Sequence, residues 1–325
     1  MVTSKIGVIG AGAFTEMCLE AYQQFLPEIV IESITDLKIS QAKKVAKKFG
    51  IKDVAKNPAE LLKIDSITTV IILTPPNTHR QLAWDGLEAE KNVLVEKPIA
   101  FTESEARSLI ELAEKKGRQL TANLVLRYHP FHQRLREIVQ QGTLGQLREI
   151  VTKADMARYP TDHWYWNAKI SGGFFLNTYC HFIDLYNYII GDQPTRFACQ
   201  QKTGYSHLIE LGFPKTQVRL KTNLDVSNDQ ESVETTYTFD NGVVTTFGWL
   251  PTRMVTSTST KTEELNETLP KLDRYQQLLA SVLKDLIVRR TDSRRPQVIN
   301  HQVLLETVRQ PLTVVCQMSS IKHSS

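Results

Sequence analysis

Four groups of residues have the types and spacing that chemistry needs. Lys97 follows an apolar run, Asn92 to Val95, and is flanked by Glu96 and Pro98. An ammonium just beyond a buried strand can hydrogen-bond a reacting oxygen and supply or relay its proton. The alternative is an ordinary surface lysine. Asn177 and His181 stand four apart in an apolar helical pattern, so they share one helical face. An imidazole there is either an acid/base group or a core histidine satisfied by its neighbours. The Asn177 amide cannot accept a proton and can only orient. Asp184, one turn beyond His181, could orient that ring or cap local structure. Gly10-Ala11-Gly12 lies between the strand pattern Lys5 to Ile9 and a helical pattern opening at Ala13 and Phe14. The first glycine permits a tight turn. The second lets the backbone approach a pyrophosphate, whose charge a helix N-terminus favours. Asp36 closes the second strand pattern about 24 residues after Gly12, where an acid either caps the next helix or accepts hydrogen bonds from adenosine ribose hydroxyls. It also repels a 2′-phosphate, so NAD is the expected cofactor; Lys38 nearby leaves NADP open.

These groups need particular elements to hold them. Residues 1–123 alternate strand and helix patterns: strands at Lys5 to Ile9, Ile29 to Ile34, Ser66 to Leu73, Asn92 to Val95 and Gln119 to Asn123, with helices between them. Such alternation means βαβ units and a doubly wound parallel sheet, a Rossmann domain. Leu73, Thr74, Pro75, Asn77 and His79 then follow one strand and Glu96 and Lys97 the next, at the carboxyl edge where such sheets bind cofactors. All are expected at the cofactor. Thr15 stands where the usual third glycine would be, a position concerned with helix–strand packing. Residues 124–325 change character. Strand patterns recur at Arg148 to Met156, Arg196 to Gln201, Gln217 to Leu224, Glu231 to Phe239 and Val243 to Leu250, with a hairpin turn at Asp240-Asn241-Gly242. One helix, Phe174 to Ile190, interrupts them. An α+β domain with a large, open, mostly antiparallel sheet is expected, holding substrate and mediating oligomerisation. The Ser/Thr-rich stretch Thr256 to Thr262 reads as a loop or mobile segment.

Gly10-Ala11-Gly12, Thr74-Pro75-Pro76-Asn77-Thr78-His79 and Glu96-Lys97-Pro98 together resemble the Gfo/Idh/MocA family of glucose–fructose oxidoreductase and inositol dehydrogenase relatives. The likeness continues through Arg127-Tyr128-His129-Pro130, Gly142-Thr143-Leu144-Gly145, Trp164, and Gly172-Gly173 to His181 and Asp184. It implies an NAD(P)-dependent enzyme that moves a hydride between nicotinamide and a sugar, polyol or related small substrate. It implies that Lys97 is catalytic and that His181 shares the proton transfer. The family's aspartate is replaced here by Asn177, and Tyr179 replaces a residue commonly small. Two other readings stand beside this one: a dinucleotide-binding sensor without turnover, and redox-neutral sugar chemistry on a retained cofactor. On the substrate side, Tyr159 and Trp164 could wall a sugar ring. Arg127 could anchor a polar group, or form an ion pair between domains.

The rest of the chain narrows the class. Hydrophobic residues are 41% and charged residues 23% of 325, a globular balance, and a net charge of +4 calls for no nucleic-acid partner. No run reaches the length of a membrane span, and no secretory leader is apparent. Four scattered cysteines without a CxxC pair fit a reducing cytoplasm and argue against zinc. His129 and His132 have helical spacing but no third ligand, so no metal site is expected. The partners expected are a small-molecule substrate and further copies of the chain, as a homodimer or homotetramer. The basic run Arg289 to Arg295 reads as a solvated helix end and loop.

Overall fold

The computed structural model describes residues 4–157, 160, 162–201, 206–291 and 298–321. Six parallel strands form the first sheet: β1 (Lys5–Ile9), β2 (Val30–Thr35), β3 (Asp53–Val54), β4 (Thr69–Ile72), β5 (Asn92–Val95) and β6 (Leu120–Ala122). Their order is β3-β2-β1-β4-β5-β6, a doubly wound sheet whose direction reverses between β1 and β4. Helices on both faces leave the central strands no wet side. Ile6, Val8, Ile71, Ile72, Val93 and Val95 are accordingly buried without alternation. The helix Glu103–Lys116 begins with a capping box at Thr102, whose hydroxyl accepts from the Glu105 N–H while the Glu105 carboxylate accepts from the Thr102 N–H, and it ends at left-handed Gly117. The two-residue β3 has too little periodicity to be read from sequence.

Eight strands form the second sheet: β7 (Leu147–Ala157), β8 (Arg196–Gln201), β9 (Ser206–Gly212), β10 (Gln217–Val226), β11 (Ser232–Phe239), β12 (Gly242–Phe247), β13 (Arg253–Ser257) and β14 (Thr262–Asn266). The order is β14-β13-β12-β11-β7-β10-β9-β8, antiparallel throughout except for the pair β7–β10. Burial alternates along β7: Ile150, Thr152 and Ala154 are inside, while Arg148 and Lys153 are exposed. The stretch expected as a loop at Thr256 to Thr262 instead spans the β13–β14 hairpin. β-Branched Val255 and Thr256 pair with Glu264 and Glu263, and the Thr258 hydroxyl accepts from the Lys261 N–H to close the turn. The helix Phe174–Ile190 is where the apolar pattern placed it.

The chain forms two compact units, each built from separate segments. The first comprises residues 1–125, 167–177 and 272–309, and the second residues 126–166, 178–271 and 310–325. The first unit's opening stretch ends at residue 125, and one late segment also lies in it. Packing explains its place: on the helix Lys271–Thr291 the Tyr275 ring lies 6.4 Å from that of Phe14, and the Gln276 amide donates to Glu20. Of the basic run, residues 292–297 lie outside the described residues.

Candidate active site

The glycine turn follows β1. Gly10 has φ +107°, and its N–H donates to the Thr35 carbonyl at 2.8 Å. A Cβ there would lie 2.4 Å from the Leu73 carbonyl oxygen, so the exit of β4 requires glycine. A Cβ on Gly12 would meet nothing within 4 Å, which leaves open space in front of the helix Ala13–Phe25. Thr15, in the third-glycine position, is fully buried and its hydroxyl donates to the Gly10 carbonyl at 3.1 Å. The hydroxyl thus braces the turn.

Asp36 joins this turn to the exit of β2. One carboxylate oxygen accepts from the Ala11 N–H at 2.8 Å and the other from the Lys38 N–H at 2.7 Å. The next helix, Ile39–Phe49, has Lys38 at its cap position with no side-chain cap, so Asp36 is not its N-cap. Each oxygen accepts one backbone N–H and keeps a lone pair for a ribose hydroxyl. Leu37 beside it is fully exposed, and the Gln41 amide donates to the Ala11 carbonyl. These features fit a dinucleotide: an open helix N-terminus for the pyrophosphate and a pre-aimed acid for the ribose.

Beyond β4, Leu73 donates its N–H to Ile9, and the hydroxyls of Thr74 and Thr78 are 2.6 Å apart. Pro75 and Asn77 are exposed. His79 is fully buried, unlike its neighbours: its Nε2 lies 2.8 Å from the Thr74 carbonyl and its Nδ1 2.8 Å from the Pro98 carbonyl. Burial holds its pKa below the ordinary value, against the pull of the two carbonyls. Its side chain therefore lies behind the loop rather than on the surface open to a cofactor.

Beyond β5, Glu96 turns inward. Its carboxyl accepts from the Asn123 amide and from the Lys97 N–H. Burial raises its pKa; the Lys97 ammonium, the Asn123 amide and the Lys97 N–H oppose the rise. The peptide between Lys97 and Pro98 is cis. The Lys97 ammonium donates to both oxygens of Asn177, at 2.7 Å to Oδ1 and 2.8 Å to the backbone carbonyl. Asn177 is 3% exposed, so this grip is sheltered from water. The Asn177 amide is thus an uncharged acceptor on the lysine.

The other expected substrate-side residues belong to the second unit. Arg127 does not present itself to solvent: its side chain is 6% exposed, and its Nε and Nη2 bind the Asp184 carboxylate at 2.7–3.1 Å. Its guanidinium also lies over the Tyr188 ring. The ion-pair alternative thus accounts for Arg127, and within one unit rather than between two. Asp184 is thereby engaged with Arg127. His181 stands edge-on to Trp249, ring centroids 5.4 Å apart. Trp249 escaped the sequence reading because it looked like the end of a strand; Gly248 and Pro251 around it were the signal that the strand had stopped. Trp164 is 40% exposed and packs on His163, while Tyr165 beside it is buried with its hydroxyl on Thr178. Tyr159 lies outside the described residues. Tyr179 is core, its hydroxyl against Thr222 and His207. His129 accepts from the Phe131 N–H, and His132 Nδ1 donates to the Leu126 carbonyl.

Comparison with known proteins agrees with this geometry. Residues 4–124 match the model of the oxidoreductase family with an NAD-binding Rossmann fold, and residues 132–253 match the Gfo/Idh/MocA C-terminal domain. Among curated relatives, the myo-inositol 2-dehydrogenase of Thermotoga maritima is 27% identical over 190 residues, 58% of this chain and 55% of the relative. The aligned chain thus spans about half the length of such relatives. Among solved structures, an oxidoreductase domain protein from Kribbella flavida superposes with a TM-score of 0.87 at 18% identity, covering 98% of each chain. A 3-ketoreductase from Actinomadura kijaniata, in complex with NADP and TDP-benzene, superposes with a TM-score of 0.80 at 18% identity, covering 97% of each chain. At such identities the superpositions speak for the fold. The two family matches cover most of the chain and coincide with the glycine turn, the lysine at the exit of β5 and the second sheet: this chain belongs to the Gfo/Idh/MocA oxidoreductase family.

Proposed function

We propose that this chain is a dehydrogenase or reductase acting on a ring hydroxyl or ring ketone of a sugar or cyclic polyol, with NAD(H) preferred to NADP(H). The observation that carries the reading is Lys97, held at the exit of β5 by two oxygens of Asn177, in a sheet whose first turn is built to receive a pyrophosphate. The names of relatives support the substrate class: one acts on myo-inositol, another is a 3-ketoreductase.

Gly10, Ala11, Gly12, Ala13 and Phe14 would hold the pyrophosphate, and Asp36 the adenosine ribose. Leu73, Thr74, Pro75, Asn77 and Glu96 would line the path towards the nicotinamide. The nicotinamide, when bound, gives or accepts the hydride. Lys97 supplies the proton side of the chemistry: its ammonium has three hydrogens, two engaged by Asn177, and the third is left to reach the substrate oxygen. Asn177 holds the nitrogen in place and takes no proton. By the family likeness His181, edge-on to Trp249, would be a second group for proton transfer, and Trp164, exposed in the same unit, would offer a ring face to a sugar. The second face of the eight-stranded sheet carries the half-buried Val151, Thr236, Thr245 and Val255 in one cross-strand row, where a further copy of the chain would seat to give a homodimer or homotetramer. Light scattering giving a monomer at micromolar concentration would remove that part.

The test of function is titration with NADH and NADPH by fluorescence, followed by a panel of inositols, hexoses and keto sugars assayed at the reduced-nicotinamide absorbance. Tighter NADPH binding would overturn the role of Asp36. Binding without turnover on the whole panel would favour the sensor reading, which Asn177 in the place of an acid motivates.

A further inference from the structure

We propose that His79 is a positioning residue for Lys97: by donating from Nδ1 to the Pro98 carbonyl it ties the loop beyond β5 to the segment that follows β4. The inference rests on the active-site reading of Lys97 above, and gives His79 a task other than contact with cofactor.

The side chain has no exposed surface, so a ligand does not reach it without displacing its cover. Both ring nitrogens are used. Nε2 is 2.8 Å from the Thr74 oxygen, in the loop that follows β4, and Nδ1 is 2.8 Å from the Pro98 oxygen, in the loop that follows β5. Carbonyl oxygens only accept, and a neutral imidazole has one N–H: carried on Nδ1, it makes the bond to Pro98, which is the contact that crosses between the two loops. The ring spans two segments 24 residues apart in sequence, Thr74 and Pro98, that β4–β5 pairing brings side by side but does not itself fasten beyond Ile72 and Val95. The ladder continues one step further, with Glu96 N–H donating to Ile72, and then stops. The next fastening between the two loops is His79. Lys97 lies between that last ladder bond and the fastened Pro98, so its backbone is pinned on both sides. Its nitrogen is then pinned by Asn177. Removing the ring leaves the sheltered Pro98 carbonyl without its donor and frees the chain on the far side of Lys97 to move.

Two variants separate positioning from bulk. His79→Phe keeps an aromatic ring and has no donor; His79→Gln keeps a donor. The first readout needs no turnover: the rate at which an amine-reactive reagent labels Lys97, followed by peptide mass spectrometry, with the thermal midpoint measured alongside. In His79→Phe labelling should quicken severalfold, because Nζ is no longer held on Asn177, and in His79→Gln it should return towards wild type. The second readout is kinetic: kcat should fall about ten- to a hundredfold in His79→Phe, with little change in NADH affinity, because a displaced catalytic group costs rate more than cofactor binding. If His79→Phe does not fold, His79→Asn, whose amide is too short to span both carbonyls, takes its place in both assays. Labelling of Lys97 at the wild-type rate in the donor-free or shortened variant overturns the proposal. A wild-type protein that binds no dinucleotide at all sinks the active-site reading instead, and leaves the labelling result to decide the grip of His79 on its own.

Discussion

Acid should loosen the second unit through a single histidine. His132 is 2% exposed, donates from Nδ1 to the Leu126 carbonyl, and is pushed by burial from 6.5 down to about 4. Above the unfolded value neither state binds a proton there, and His132 is silent. Between 6.5 and about 4 the unfolded chain is protonated and the folded one is not, so stability falls as pH falls; below about 4 both states are protonated and the loss is complete. At about 1.4 kcal/mol per pKa unit, the gap amounts to about 3 kcal/mol in all. Most of it, about 2 kcal/mol, should appear between pH 7 and 4.5. The assay is urea denaturation at half-unit pH steps, comparing wild type with His132→Gln, whose amide can still donate to Leu126. Carboxylates titrate in the same window in both proteins and cancel in the difference. Overall stability is not the readout, because the substitution costs packing; the slope is. A difference in unfolding free energy that stays constant within about 0.5 kcal/mol over this range would refute the argument, because no proton would then be linked to His132.

Three further outcomes are expected. Lys97→Ala should lower kcat by about 10²–10⁴-fold with NADH affinity nearly unchanged, whereas Asn177→Ala should lower it less and raise KM; turnover and fluorescence titration check the order. Gly12→Ala should leave the thermal midpoint unchanged but weaken NADH binding at least about tenfold, since its Cβ meets no protein atom yet enters the space for the pyrophosphate, while Gly10→Ala should cost the fold itself through the Leu73 carbonyl. Arg127→Met should destabilise by about 3–5 kcal/mol in urea melts by stranding the buried Asp184, and pairing it with Asp184→Leu should recover much of the loss.

The dinucleotide half of the site was legible because its signals are local. Gly10 and Gly12 sit between a strand and a helix only a few residues away, and Asp36 ends the very next strand. Lys97 was legible for a like reason, since Glu96 and Pro98 mark the place where β5 stops. What sequence could not supply were partners far along the chain. Arg127 and Asp184 are 57 residues apart and either could as well have met a ligand. The inward turn of His79 depends on Pro98, and the edge of Trp249 on His181, contacts that no spacing announces. Among the elements, β13 and the turn after it were hidden by threonine and serine, which favour turns in isolation but pair well once β12 offers β13 an edge and β13 in turn offers one to β14. The helix Lys271–Thr291 left its pattern in Leu279, Val282, Leu283 and Leu286, yet which unit it would join is a question of tertiary packing alone.

The first unit is stitched from three stretches of chain, and that sets an order of events on the ribosome. All six strands of the parallel sheet have been made once residue 122 has emerged, yet the unit lacks the segment 272–309 until about 150 further residues have followed. Throughout that interval Phe14 and Glu20 wait for Tyr275 and Gln276. At roughly 5–20 residues per second the wait lasts on the order of ten seconds, long enough for a chaperone to visit the unfinished surface. The same arithmetic bears on dissection: a fragment cut at residue 125 carries every glycine and acid of the nucleotide turn but not the late helix that packs beside it. Such a fragment is expected to bind dinucleotide poorly and to aggregate unless residues 272–309 are supplied in trans, so the nucleotide half of this protein behaves as a closed loop of sequence and not as a detachable head.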